Sequence, residues 1–378
     1  REAWKYGERA YRYCQHDAGH GIAAVRYAAA VLGWQARVLT SWSDADIGAL
    51  LGIARDADFG EAEREHPDVM LRVTARQFDA ADADWAYNAL LHAACNGSWQ
   101  GHANVLSRHH THPWPVIDEV ARACTKGETR ETAWQAPARA DPVSGGGEQS
   151  AVEIIRQRRS AQAFDGVTSL PASAFYRMLD MTLPRRALPP WDVIGWPPRV
   201  HLALFVHRVE GLVPGLYLFL RNDQSEETLR KALSAGFEWG RVQDCPAHLP
   251  LFRLVAADGR NAARTLSCHQ DIAADGAFSL AMLAEYAANL AGAPWIYRQL
   301  FWEAGILGQA LYLEAEAAGV RGTGIGCYFD DGVHEVFGIQ GEGLQSLYHF
   351  TIGAADTDSR LQTLPAYAHL HGTDREQE

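Results

Sequence analysis

The sequence predicts an α+β fold made of two related units in tandem, and two observations carry that expectation. The first is an internal repeat: shifted by 286 positions, residues 11–53 align without a gap on residues 297–339, with ten identities in 43 pairs. Tyr11-Arg12 falls on Tyr297-Arg298, Asp17-Ala18-Gly19 on Glu303-Ala304-Gly305, Gly33 on Gly319, Asp44 on Asp330 and Gly52-Ile53 on Gly338-Ile339. Self-similarity at a fixed offset decides an architecture before any local propensity does. The second observation is a mixture of helical and strand patterns that lacks the strand–helix–strand rhythm of a parallel α/β sheet.

Taken in chain order, each copy reads as a long helix (Ala10–Leu32 and Ile296–Ala318), a glycine turn, an extended stretch and a short helix (44–53 and 330–338). Gly33 and Gly319 stand just past the long helices, where a left-handed residue closes the last turn. The second copy ends in the apolar strand pattern Ser346–Ile352. Only ten residues precede the first copy, so residues 1–75 are expected as a partial unit lacking its front half. Residues 76–150 read as a helical extension (Asp84–Cys95, Val116–Ala123) and a flexible linker from Thr125 to Ser150, which contains Gly145-Gly146-Gly147. Residues 151–378 read as the complete unit. Helices are expected there at 151–158, 172–181, 225–234 and 262–266, strands at Val200–Val206 and Leu216–Leu220, and an apolar run at Ala277–Leu283.

Composition removes several functions. A net charge of −12 and a pI near 5.7 argue against a nucleic-acid surface, which needs a basic stripe. The apolar stretch Ala277–Ala284 runs straight into Glu285 and is too short to span a bilayer, so no membrane partner is expected. Cys14, Cys95, Cys124, Cys245, Cys268 and Cys327 are widely spaced without a CxxC pair. Neither a disulfide framework nor a zinc site is expected, and a reducing cytoplasm fits. His109-His110-Thr111-His112 has no neighbouring carboxylate or cysteine, so no metal is expected there.

Three segments carry chemistry. In Arg158-Arg159-Ser160, two guanidinium forks and a hydroxyl suit the oxygens of a phosphomonoester. Gly322-Thr323-Gly324-Ile325-Gly326 follows the second long helix, and closely spaced glycines let a backbone approach a flat ring or an anion. Near the amino-terminal end, Lys5-Tyr6 opens the run Trp4-Lys5-Tyr6-Gly7-Glu8-Arg9-Ala10-Tyr11-Arg12-Tyr13, with Asp17-Ala18-Gly19-His20 beyond it. His20, one turn past Asp17, reads as a packing residue.

These segments resemble the nitroreductase superfamily, and most of all its SagB/ThcOx-type dehydrogenase branch. The resemblance covers most of Ala151–Leu370 and Glu2–Thr74, including the hairpin Val209–Tyr217. It implies an FMN-binding fold with the phosphate on Arg158, Arg159 and Ser160. Gln162 stands where the family has a cation, and Arg360 is a further phosphate candidate. It also implies a flavin ring beside Gly322, Thr323, Gly324 and Gly326. In the azoline dehydrogenases of that branch a Lys-Tyr pair does acid–base work, which points to Lys5 and Tyr6, with the lysine pKa lowered by desolvation. Family members are dimers with FMN at the subunit interface, so two tandem units imply a pseudo-dimer within one chain, and a homo-oligomer is open. The implied activity is hydride transfer through flavin N5 on a small-molecule or peptide substrate, with NAD(P)H a candidate reductant. Two alternatives stand beside it: a plain NAD(P)H-dependent nitro- or quinone reductase, and a degenerate, non-catalytic scaffold or partner protein.

Overall fold

The computed structural model describes residues 1–76, 84–107, 112–130, 134–144, 147 and 149–370. In chain order its elements are α1 (Ala3–Tyr6), α2 (Ala10–Val31), β1 (Gln35–Val38), α3 (Asp44–Leu51), β2 (Leu71–Thr74), α4 (Asp84–Asn96), α5 (Pro115–Ala123), α6 (Ala151–Gln157) and α7 (Ala172–Met181). There follow β3 (Val200–Val206), β4 (Gly215–Phe219), α8 (Glu226–Ala232), β5 (Gly240–Arg241), β6 (Leu251–Ala256), α9 (Arg260–Leu266), α10 (Ile272–Asp275) and β7 (Phe278–Glu285). The chain closes with α11 (Ala287–Leu290), α12 (Ile296–Ala317), β8 (Arg321–Ile325), α13 (Asp330–Phe337) and β9 (Leu344–Gly353). This is the expected α+β arrangement. One antiparallel sheet has the strand order β5-β6-β4-β3-β7-β9-β8.

Every residue of β3 is buried, and so is nearly all of β7, because both faces of the sheet are covered. Leu202, Leu204, Val206, Leu280, Met282 and Phe350 pack with Leu300, Leu307 and Leu311 of α12 and with α7. The alternate residues Ala203, Phe205, Ala281 and Leu283 turn to the other side, against α8, α9 and α13. The apolar run at 277–283 is thus a central strand. A further strand, β6, lay outside the expected set.

The repeat is carried into structure element by element. Displaced by 286, α2 falls on α12, β1 on the first four residues of β8, and α3 on α13. Gly33 and Gly319 are left-handed at φ +70° and +73°, and Gly52 and Gly338 at +70° and +67°. β1 pairs antiparallel with β2 as β8 does with β9. The two long helices cross with reciprocal contacts. A Cβ on Gly19 would collide with the carbonyl oxygen of Trp302, and one on Gly305 with that of His16. Residues 16 and 302 are themselves one repeat apart, so each glycine meets the other copy's counterpart residue, the signature of a two-fold contact.

Because the obstructing atoms are backbone, neither helix can yield locally. Gly19→Ala or Gly305→Ala is expected to cost about 1–3 kcal/mol, the range for overpacking a close contact. Gly21→Ala, with nothing within 4 Å of its added methyl, should be neutral or gain up to about 1 kcal/mol of helix propensity. Urea denaturation followed by circular dichroism checks the contrast.

The copies differ in what covers them. Glu303, Leu307, Ala310 and Leu311 of α12 are fully buried, whereas the equivalent Asp17, Gly21, Ala24 and Val25 of α2 are exposed or half-buried, with Val31, Leu32 and Trp34 also open to solvent. Glu303 pairs with Arg221 inside the core and accepts the backbone N–H groups of Arg199 and Val200 at 3.0 and 3.2 Å. Arg221 also donates to the carbonyls of Thr182 and Val200 and lies 4.2 Å from the Trp191 ring.

Two expectations meet a different outcome. Where described, residues 125–150 are tied to the body rather than loose. Lys126 is buried and donates to the carbonyl of Trp42 at 2.8 Å, the Val143 N–H donates to Asp180 at 2.7 Å, and Ala136 is buried. Gly322 and Gly324 lie in β8, the expected extended stretch, with Gly326 just past its end. None of these glycines has positive φ, so they supply room rather than a turn. Cysteine spacing predicted no disulfide, yet Cys268 and Cys327 are bonded, their Cα atoms 5.8 Å apart. The fold brings the end of α9 against the end of β8, a proximity that a sequence separation of 59 does not reveal. His109 and His110 lie outside the described residues; His112 packs its ring on Trp114 at 4.5 Å. Among the described residues there is no candidate metal cluster, and no helix is long and apolar enough to cross a membrane.

Candidate functional site

Two of the chemically promising segments, far apart in sequence, meet through one side chain that sequence reasoning passed over. Tyr312 of α12 accepts the backbone N–H of Gly324 at 2.9 Å, and its hydroxyl bonds Ser160 Oγ at 3.0 Å. The Arg158 guanidinium lies 4.7 Å from the same ring. Thr323 Oγ1 donates to the Ala161 carbonyl at 2.7 Å, and the Ala161 N–H reaches the Gly322 carbonyl at 3.3 Å. The Arg-Arg-Ser segment is therefore docked along β8, held there by Tyr312 and Thr323.

Local sequence explains the docking. Ser150 caps α6 reciprocally with Glu153, and the chain leaves the helix at Arg158, which is extended at φ −52°, ψ 128°. That turn delivers residues 158–161 to the strand edge. Among the described residues neither Arg158 nor Arg159 has a carboxylate partner. Arg159 donates instead to the carbonyls of Arg156, Arg158 and Leu364, at 3.2, 2.9 and 3.3 Å. Gln162 is exposed. Arg360 is exposed too, and its guanidinium chelates Asp358 instead of joining the cluster.

The glycines of β8, and Gly326 just past its end, face aromatic rings. A Cβ on Gly322 would stand 2.6 Å from the Phe350 ring, one on Gly324 would strike the Tyr348 hydroxyl, and one on Gly326 would stand 2.7 Å from the Tyr13 ring. Beside them, His20 Nδ1 lies 3.2 Å from Gln309 Oε1 and Nε2 lies 3.4 Å from the Tyr348 hydroxyl. His16 stacks on Tyr348 with centroids 4.3 Å apart. His20 is thus part of the cluster rather than remote packing.

Lys5 and Tyr6 reach this cluster through a relay of rings. Tyr6 meets Tyr13 edge-on at 4.9 Å, and Tyr13 covers Gly326. Lys5 Nζ lies 4.9 Å from the Tyr6 ring. Its electrostatics run opposite to expectation. Lys5 is exposed, and its pKa is raised, chiefly by the neighbouring Tyr6 hydroxyl, which outweighs the lowering by burial. Short α1 ends at the surface, so desolvation of the amine does not decide the direction.

The first copy carries side chains where the second has glycines. Ala36, Val38 and Thr40 occupy the positions of Gly322, Gly324 and Gly326. The cavity at that equivalent place is lined by Val38, Thr40, Trp42, Asp44, Lys126 and Trp302 and measures about 20 Å³, room for about one water.

Burial holds the histidines beneath the ordinary imidazole range: His20 and His207 near 4, His16 and His349 near 3. The neutral forms are favoured by the fold, so the unfolded chain takes up protons first. The stability they confer is complete above about pH 6.5 and is lost as pH falls toward 3–4. Denaturation midpoints should therefore drop between pH 7 and pH 4. His349→Gln should flatten that slope by up to about 1.4 kcal/mol per pH unit.

No family model and no curated protein matches the sequence. Solved structures do match the fold. A protein from Anabaena variabilis described as a nitroreductase superposes with a TM-score of 0.64 at 19% identity, covering 94% of this chain and 67% of that one. The microcin synthetase McbBCD complex of E. coli aligns at TM-score 0.39 and 14% identity, over 67% of this chain and 85% of that one. The NADPH:FMN oxidoreductase of Vibrio harveyi aligns at 0.34 and 15%, over 60% and 77%. The chain has the fold of the nitroreductases.

Proposed function

We propose that the protein is an FMN-dependent oxidoreductase of the SagB/ThcOx-type dehydrogenase kind, built as two tandem units that form a pseudo-dimer and hold one flavin. The observation that carries this reading is the Tyr312 junction, which joins an Arg-Arg-Ser segment whose guanidinium groups have no carboxylate partner among the described residues to the glycine-bearing strand β8. A phosphomonoester fits Arg158, Arg159 and Ser160; a flat ring would lie along the backbone of β8, among the rings of Phe350, Tyr348 and Tyr13 that face its glycines. When bound, FMN supplies a two-electron carrier.

The chain's own residues then divide the work. Thr323 and Tyr312 fix the strand against the phosphate segment. His20 and Tyr348, with the imidazole neutral, offer hydrogen bonds without charge. Lys5 and Tyr6 handle a proton on a small-molecule or peptide substrate, with the protonated amine supporting the Tyr6 hydroxyl. One flavin per chain follows from the difference between the copies, since Val38 and Thr40 fill the second place. The exposure of Lys5 favours a second reading, an NAD(P)H-dependent reductase in which the pair has no chemical role.

Titration of FMN into the chain tests the site. Parent protein is expected to bind one equivalent, and Arg158→Ala to bind roughly ten- to hundredfold more weakly, the value of about 1.5–3 kcal/mol for a hydrogen bond to a charged group. Equal affinity in the variant would remove Arg158 from the phosphate site.

A further inference from the structure

Independently of the flavin reading, we propose that the Cys268–Cys327 disulfide is a thiol–disulfide exchange site, attacked at Cys268 and releasing Cys327 as a thiolate held by Arg9. Its substrate class is a thiol or dithiol reductant. Three observations support this. Arg9 Nη1 donates to Cys327 Sγ at 3.1 Å, which places a cation on one sulfur of the pair; a neighbouring guanidinium lowers a cysteine's pKa and makes its thiolate the better leaving group. Cys268 and the adjacent His269 are both in the left-handed region, at φ +54° and +60°, which side-chain-bearing residues rarely adopt. Both cysteines are half-buried rather than sealed in the core.

The chemistry balances. An external thiolate attacks Cys268 Sγ, the S–S bond breaks, and a mixed disulfide forms on Cys268 while the electron pair stays on Cys327. A second thiol then attacks the mixed disulfide. The external pair leaves as a disulfide and Cys268 is freed as a thiol, so two thiols are oxidised as the protein's disulfide is reduced. Cys327 directly follows Gly326, so cleavage also unties the end of β8 from the turn after α9.

The test uses the full chain and two probes, glutathione as a monothiol and dithiothreitol as a dithiol. With glutathione, peptide mass spectrometry should find the adduct on Cys268, not on Cys327. Dithiothreitol should open the bridge with the far-ultraviolet circular dichroism unchanged. Cys327 in Cys268→Ser should be alkylated with a midpoint below the ordinary cysteine value of about 8.5, and Arg9→Gln in that background should raise the midpoint by about one unit or more. An adduct confined to Cys327, a bridge that opens only when the chain unfolds, or a midpoint indifferent to Arg9 would each overturn the proposal. Because Arg9→Gln is judged by a titration midpoint and the glutathione adduct by its position, a variant that folds poorly still leaves the adduct to decide.

Discussion

Gly326→Thr is expected to weaken FMN binding by roughly ten- to hundredfold, the equivalent of an overpacking clash of about 1–3 kcal/mol. The substitution installs in one copy the residue, Thr40, that the other already carries at that place. Gly326 has an ordinary φ, so no backbone strain confuses the result. The added Cβ would stand 2.7 Å from the half-buried ring of Tyr13, which must shift to make room. The mirror change, Thr40→Gly, should leave affinity unchanged, because Trp42, Lys126 and Trp302 still line what is left of that cavity. Fluorescence titration of FMN gives both affinities, and circular dichroism shows whether each variant is folded. Undiminished binding by a folded Gly326→Thr protein would mean that the glycine strand does not border the cofactor.

The second large effect concerns Lys5 and Tyr6. Lys5→Ala and Tyr6→Phe are expected to keep FMN yet slow oxidation of an azoline-containing peptide by about 10²–10⁴-fold, the usual worth of general acid–base catalysis. Reduction of a nitroaromatic by NADPH, which removes no proton from such a substrate, should be spared. The raised pKa of Lys5 sets the expected form: at neutral pH the amine is charged, so it acts as a donor toward Tyr6 and not as a free base. If both variants retain peptide turnover, or the parent has none while reducing the nitroaromatic, the plain reductase is the better account.

Much of the fold was legible because the repeat constrains it. A single offset, with its paired glycines, located α2, α3, α12 and α13, and the expected bounds of the long helices differ from the observed ones by a residue at the carboxy-terminal end. Gly19 and Gly305 stood out as paired identities, but their reciprocal crossing is a matter of helix packing that pattern alone does not contain. Candidate residues were legible where chemistry is concentrated in one segment, as in Arg158-Arg159-Ser160. They were not where a residue serves two segments at once. Tyr312 sits mid-helix among apolar neighbours and reads as core, yet it joins Ser160 to Gly324. The asymmetry of the repeat held a clue, since Arg26 stands at the equivalent position and pairs bidentately with Asp192 at 2.8 Å. Gly322 and Gly324 of β8, with Gly326 just past its end, read in the sequence as room for a ring or an anion, whereas in the structure they answer to crowding by Phe350, Tyr348 and Tyr13. The Cys268–Cys327 bond escaped notice because disulfides follow distance in space, not spacing in sequence.

The central claim is that this fold holds one FMN between the Arg158–Ser160 segment and β8. The visible absorption spectrum of the purified full-length chain, reconstituted with excess FMN and freed of unbound flavin, tests it most directly. The account predicts a yellow protein that releases FMN on denaturation at one equivalent per chain. A colourless chain that retains no FMN would contradict it and leave a flavin-type fold without its cofactor; two equivalents per chain would contradict the closure of the second place by Val38 and Thr40.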